Sequence, residues 1–194
     1  MTRYSQRGRS LTASGFVIAG GLSLIAGTQT WLTVARTDSP ETIDVIGSQA
    51  LALLVPLSLA ALALGAAIAL VGIVLRRVFA VVGVAIGAAI AVATLTVIVA
   101  QPLSSLAPAM TEVTGLAGDA TLEALIATVT VSVWPWIAAI GGLLLAVTGA
   151  FAFMTAPSWS SAGRRFESAA TAHEGPVDAV DSWDDLSHGT DPTG

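Results

Sequence analysis

Residues Gln49–Ala100 read QALALLVPLSLAALALGAAIALVGIVLRRVFAVVGVAIGAAIAVATLTVIVA. Arg76 and Arg77 are the only charged residues in this stretch, and they divide it into two apolar runs, Gln49–Leu75 and Val78–Ala100. Each run exceeds the roughly 20 residues that carry a helix across ~30 Å of hydrocarbon. Neither run alternates polar with apolar residues, as a strand of a membrane barrel would. The stretch therefore predicts two membrane helices joined at a tight arginine turn. Each arginine would cost about 2.5–3.5 kcal/mol at the bilayer centre, which keeps the turn at an interface.

Outward from this pair lie two more uncharged runs, Leu11–Val34 and Val131–Thr155. The first has the basic start of a signal peptide (Arg3, Arg7, Arg9) but is longer than the roughly 7–15 apolar residues of one, so it is read as a retained helix. The expectation is an all-α membrane protein built as a four-helix transmembrane bundle. A short N-terminus, residues 1–10, precedes spans 11–34, 49–75, 78–100 and 131–155, and residues 156–194 form a disordered acidic tail.

Composition agrees with this division. Of 194 residues 54% are hydrophobic and 11% charged, with a mean hydropathy of +0.80, too little charge to coat a soluble domain of this size. Cysteine and lysine are absent, and His173 and His188 lie in the tail, so no disulfide and no metal or haem cofactor is expected in the spans. The net charge of −5 comes from the tail, where Arg164 and Arg165 face Glu167, Glu174, Asp178, Asp181, Asp184, Asp185 and Asp191. That balance argues against a nucleic-acid partner.

Arginine placement predicts orientation. With four spans, Arg3, Arg7, Arg9, Arg76, Arg77, Arg164 and Arg165 share one side, and only Arg36 falls on the other, among Asp38, Glu41 and Asp44. The positive-inside rule makes the arginine side cytoplasmic, placing a multi-pass protein in the plasma membrane with both termini inside. Two outer loops follow, about 35–48 and 101–130. In the second, Asp119 is a candidate N-cap for a helix carrying Leu122, Leu125, Ile126 and Val129 on one face. That helix either extends the fourth span or lies in the interface or over the bundle.

Small residues recur every fourth position in each span: Gly15, Ala19, Ser23 and Gly27; Ala61, Gly65 and Ala69; Gly83, Gly87 and Ala91; Ala138, Gly142, Ala146 and Ala150. Such stripes let helix backbones approach closely, which drives association in lipid. Pro56 is a candidate kink, and the span hydroxyls are expected to bond to helix carbonyls or neighbouring helices. Trp31, Trp134 and Trp136 fall at outer span ends and Trp159 at the inner face, as interfacial anchors do.

No span carries a carboxylate or histidine relay, and no nucleophile–base pair or P-loop is present, so the chain is read as a non-enzyme. Polar groups and tryptophans concentrate in the outer half of the first and fourth spans. A candidate ligand pocket there comprises Gln29, Trp31, Thr130, Trp134 and Trp136, with Thr128 and Ser132 nearby. In the tail, Val177, Val180, Trp183 and Leu186 recur every third residue among acids, either a partner-binding motif or an inert solvated segment.

The chain resembles the Trp biosynthesis-associated membrane protein family of actinobacteria. The resemblance rests on Gly27-Thr-Gln-Thr-Trp31, on Trp134-Pro135-Trp136 with Gly141-Gly142, and on Trp159-Ser160-Ser161 with Gly163-Arg164-Arg165-Phe166-Glu167. Phe166 stands where that family often has tyrosine, and the acidic tail is outside the match. The resemblance covers roughly the first 167 residues. It implies a gene context beside tryptophan biosynthesis but no assigned activity. The expected function is an accessory or scaffold subunit, or a small-molecule permease, tied to tryptophan metabolism; the alternative is a recruiter acting through the tail. Expected partners are the lipid bilayer, a protein or a second copy, and a tryptophan-like small molecule.

Overall fold

The computed structural model describes residues 2–156, with side chains from Ser10 onward. The tail, including Trp159, Arg164, Arg165 and the Val177–Leu186 pattern, lies outside the described residues. In chain order the elements are α1 (Thr2–Gly27), β1 (Thr30–Arg36), β2 (Thr42–Ile46), α2 (Gly47–Ala50), α3 (Leu54–Ile68), α4 (Ile73–Ala100), α5 (Leu103–Thr114), α6 (Asp119–Leu125), β3 (Ile126–Val131) and α7 (Trp134–Thr155). The fold is mostly helical, with one antiparallel sheet in the order β2-β1-β3.

Among the described residues three helices are long and apolar enough to cross a membrane: Ser10–Gly27 within α1, α4, and α7. The fourth apolar helix, α3, has 15 residues, about 22 Å at 1.5 Å per residue. α4 runs along α7, and α1 packs against both α7 and α3. The small-residue stripes lie at these seams. A Cβ on Gly87 would stand 2.5 Å from the Ala146 nitrogen and 2.6 Å from the Gly142 oxygen, so only glycine lets α4 and α7 touch there. Gly149 meets Ala80 and Val84 lower on the same seam. Between α1 and α7, Gly15 faces Thr148 and Gly141 faces Ser23. Phe16 is fully buried, with Gly65 of α3 and Gly83 of α4 against it.

The element boundaries differ from the sequence expectation at each span. The first helix stops at Gly27 rather than Val34, because Thr30–Val34 pair in the sheet. The stretch Gln49–Leu75 is not one helix. It holds the end of α2, a break at 51–53 and then α3, with Pro56 in α3's first turn, where a missing N–H breaks no helical bond, so it starts the helix and does not kink it. The turn between α3 and α4 lies at 69–72, and Arg76 and Arg77 stand beyond it, at the start of α4. Gly72 precedes α4 in extended conformation, so this helix begins at Ile73 and not Val78. α7 begins at Trp134 rather than Val131, with Pro135 in its first turn. Thr128 and Thr130 belong to β3. Asp119 is the first residue of α6 after Gly118, and β3 separates that helix from α7, so it does not extend the fourth span.

Candidate functional site

The sheet and the short helices form a cap at one end of the helical layer, where α1 ends and α7 begins. Its construction starts with the last turn of α1, whose carbonyls have no partner within the helix. The Thr28 hydroxyl donates to the Ile25 oxygen at 2.8 Å. The Trp31 indole N–H donates to the Ala26 oxygen at 2.8 Å. This second bond turns the indole inward, and Trp31 is fully buried. It is a core residue, not an interfacial anchor. Gly47 makes room for it: a Cβ there would lie 2.5 Å from Trp31 Nε1 and 2.9 Å from the Gly27 Cα. The Gly47 N–H donates to the Gln29 oxygen at 3.0 Å, which fixes the start of α2 against the end of α1.

The strands alternate. Leu32 and Val34 of β1 pair with Val45 and Ile43 of β2 and with Val131 and Val129 of β3, giving one apolar face. Leu106, Ala109 and Met110 of α5, and Leu122 of α6, join the same buried cluster. Gly115 ends α5 and Gly118 precedes α6, at φ of +69° and +104°, which suit glycine at that corner. The opposite face carries Thr42 and Asp44, Thr33 and Ala35, Thr128 and Thr130. It is open and polar. The Thr33 hydroxyl donates to Asp44 Oδ1 at 2.8 Å, and Thr130 Oγ1 donates to the Thr33 oxygen at 3.3 Å.

Charge on the cap is acidic: Asp38, Glu41, Asp44, Glu112, Asp119 and Glu123 against Arg36. Arg36 forks onto Asp38, with Nε to Oδ1 at 2.8 Å and Nη2 to Oδ2 at 2.6 Å. That hydrogen-bonded fork holds the Asp38 carboxyl below its ordinary range and raises the Arg36 guanidinium. Gln49 Nε2 donates to Glu112 Oε2 at 3.0 Å, linking α2 to α5. Among the described residues no cluster of His, Cys, Asp or Glu could hold a metal ion.

The five residues of the expected pocket are brought to one end but put to separate uses. The Gln29 side-chain amide donates to the Thr28 hydroxyl at 3.1 Å. Trp31 lies in the core, Thr130 on the open sheet face, Trp134 half-buried at the head of α7, and Trp136 is exposed. What joins the end of α1 to the start of α7 is backbone pairing through Ser132, whose N–H donates to the Trp31 oxygen at 2.9 Å and whose hydroxyl donates to the Thr30 oxygen at 2.7 Å. Of the topology arginines, Arg3, Arg7 and Arg9 lie on the first turns of α1, and Arg76 and Arg77 on those of α4, all away from the cap.

Of the open threonine face, only Thr130 and the neighbouring Thr128 were among the expected site residues; Thr33, Thr42 and Asp44 were not. Their signal was the period-two pattern in Thr30–Arg36 and Ile126–Val131, absorbed there into the two apolar spans. Among the span hydroxyls, Ser58, Thr96 and Thr148 donate as expected to carbonyls four residues back, at 2.7, 2.9 and 2.7 Å, whereas Ser23 Oγ and Thr94 Oγ1 are buried without a hydrogen-bond partner among the described residues.

No curated protein and no solved structure matches this chain. Over residues 13–193, a span that takes in the acidic tail left out of the resemblance, the sequence does match the family model of tryptophan-associated transmembrane proteins, and the chain belongs to that family.

Proposed function

We propose that this is a four-pass plasma-membrane protein, with both termini cytoplasmic, that serves tryptophan metabolism as a non-catalytic accessory subunit presenting its cap outside the cell. The fourth pass is α3. It runs antiparallel to α1, with Leu54 beside Gly27 at one end and Gly65 beside Ala13 and Phe16 at the other, so it reaches nearly the depth of a helix long enough to span. The arginines away from the cap set the orientation.

The observation that carries the accessory reading over a permease is the α4–α7 seam. Gly87 and Gly142 bring the two backbones into contact, which leaves no path between these helices. No Asp, Glu, His or Lys lies in 10–27, 54–100 or 134–155 to relay an ion. The cap, by contrast, offers an ordered polar face to a protein partner. A tryptophan-like ligand finds less support, because Trp31 is committed to the core.

The test is purification of the full chain in mild detergent, with and without Thr33→Arg and Thr130→Arg on the open face. A co-purifying protein lost on those substitutions supports the accessory reading. Loss on removal of 157–194 instead moves recognition to the tail. Chain-dependent uptake of labelled tryptophan with no partner overturns the reading in favour of transport.

A further inference from the structure

The two arginines that begin α4 have opposite surroundings. Arg76 is buried and its Nη2 donates to the Val71 oxygen of the turn at 2.8 Å. Arg77 is exposed, and among the described residues no hydrogen bond or ion pair to its guanidinium is formed. Beside it, Val78, Val81 and Val82 of α4 and Phe153 of α7 line an apolar groove of about 310 Å³. Its walls are about half exposed, 55% at Val81 and 47% at Phe153, so the groove opens outward from the helical layer.

An outward apolar groove on a transmembrane chain faces acyl chains. The five residue steps from Arg77 to Val82 rise about 7.5 Å, room for the headgroup-proximal part of one chain. Helical side chains lean toward the N-terminus of their helix, which carries the Arg77 guanidinium toward the membrane surface at that end. The carboxylates among the described residues, Asp38, Glu41, Asp44, Glu112, Asp119 and Glu123, belong to the cap at the other end, so none neutralises Arg77. The start of α4 adds to the positive field, with no side-chain cap and no acid in its first turn.

The geometry points to a binding site for one anionic phospholipid, with an acyl chain in the Val78–Val81–Val82–Phe153 groove and the phosphate on Arg77. A zwitterionic lipid fits the groove equally, but its headgroup carries no net charge for the arginine. Selectivity therefore resides in Arg77, and retention in the groove.

Native mass spectrometry of the full chain, offered equal phosphatidylglycerol and phosphatidylcholine with matched acyl chains, reads both. The wild type should retain phosphatidylglycerol about five-fold over phosphatidylcholine, the gain of one basic contact to an anionic headgroup. Arg77→Gln should bring the ratio near one, Arg77→Lys should keep most of it, and Val81→Trp, which fills the groove, should reduce retention of both lipids. Thermal midpoints measured without added lipid identify any variant that fails to fold, and Val81→Phe then replaces Val81→Trp. Equal retention by the wild type, or a preference that survives Arg77→Gln, overturns the site. Full displacement by glycerol phosphate would show that the groove holds no chain and overturns it too. So would a preference that emerges only after removal of 157–194, because Arg77 would then be occupied by the acidic tail.

Discussion

Gly87→Ala and Gly21→Ala add the same methyl group to two membrane helices, and the structure assigns them opposite effects. At Gly87 the new carbon would lie 2.5 Å from the Ala146 nitrogen and 2.6 Å from the Gly142 oxygen, where ordinary contacts begin at 3.4 Å. Both obstructing atoms are backbone, so no side chain can turn aside; α4 and α7 must part by nearly an ångström. Overpacking of this kind costs about 1–3 kcal/mol. At Gly21 there is nothing within 4 Å of the added carbon, and only the helix-propensity gain of about 0.5–1 kcal/mol remains. That gain applies at both sites, so the difference between the variants isolates the seam. Unfolding in mixed micelles, followed by tryptophan fluorescence, should place Gly21→Ala at or above the wild type and Gly87→Ala about 1–3 kcal/mol below Gly21→Ala. Equal stabilities would refute the claim that backbone contact at this glycine holds α4 to α7.

Other consequences are open to direct measurement. Trp31→Phe keeps one aromatic ring but removes the pyrrole ring, which strips the Ala26 carbonyl of its donor and leaves a gap in the core, and should destabilise the protein by about 1–3 kcal/mol in the same assay. Arg76→Leu removes the bond to the Val71 oxygen and should cost about 1.5–3 kcal/mol, while Arg77→Leu leaves detergent stability unchanged. Asp38 has a depressed folded pKa, so its pairing with Arg36 is fully present above the ordinary 3.8 and is lost as pH falls through the depressed value. Asp38→Asn should therefore track the wild type in a pH titration below that point and differ, slightly, only above it. Reporter fusions in the 38–41 and 115–118 loops should read as external and one in the 70–72 turn as cytoplasmic; a cytoplasmic signal from 115–118 would sink the four-pass arrangement.

The helical layer was legible because lipid imposes a simple rule on sequence. A backbone in hydrocarbon satisfies its own hydrogen bonds as helix, and its side chains need only be apolar. Runs of such residues announce themselves by length, and the four-residue glycine stripes located the seams, as Gly87 and Gly142 show. Helix ends were less legible, because hydropathy does not separate an apolar helix from an apolar turn. Leu70, Val71 and Ile73 belong to the same unbroken run as α3, yet Gly72 among them starts a new helix. The paired arginines mark where charge becomes affordable, one turn past the place where the chain reverses.

The cap escaped the same rule for a physical reason. Thr30–Arg36 and Ile126–Val131 are apolar enough to prolong the runs beside them, because a window average hides isolated threonines among valine, isoleucine and leucine. Periodicity separates them: Leu32 and Val34 point to one face, Thr33 and Ala35 to the other, and Val129 and Val131 alternate with Thr128 and Thr130. Pairing of β1 with β3 joins residues about a hundred positions apart, so no local window contains both partners. The commitment of Trp31 follows from that pairing. A tryptophan at the end of an apolar run reads as an anchor until the chain turns back, and here the turn brings its N–H to the Ala26 carbonyl and buries the ring. The anchor and the ligand-stacking roles expected of it both require an accessible ring. A substitution that frees the ring, such as Gly47→Ala, should therefore loosen the cap before it creates any binding surface, and limited proteolysis at the 115–118 loop would register that loosening.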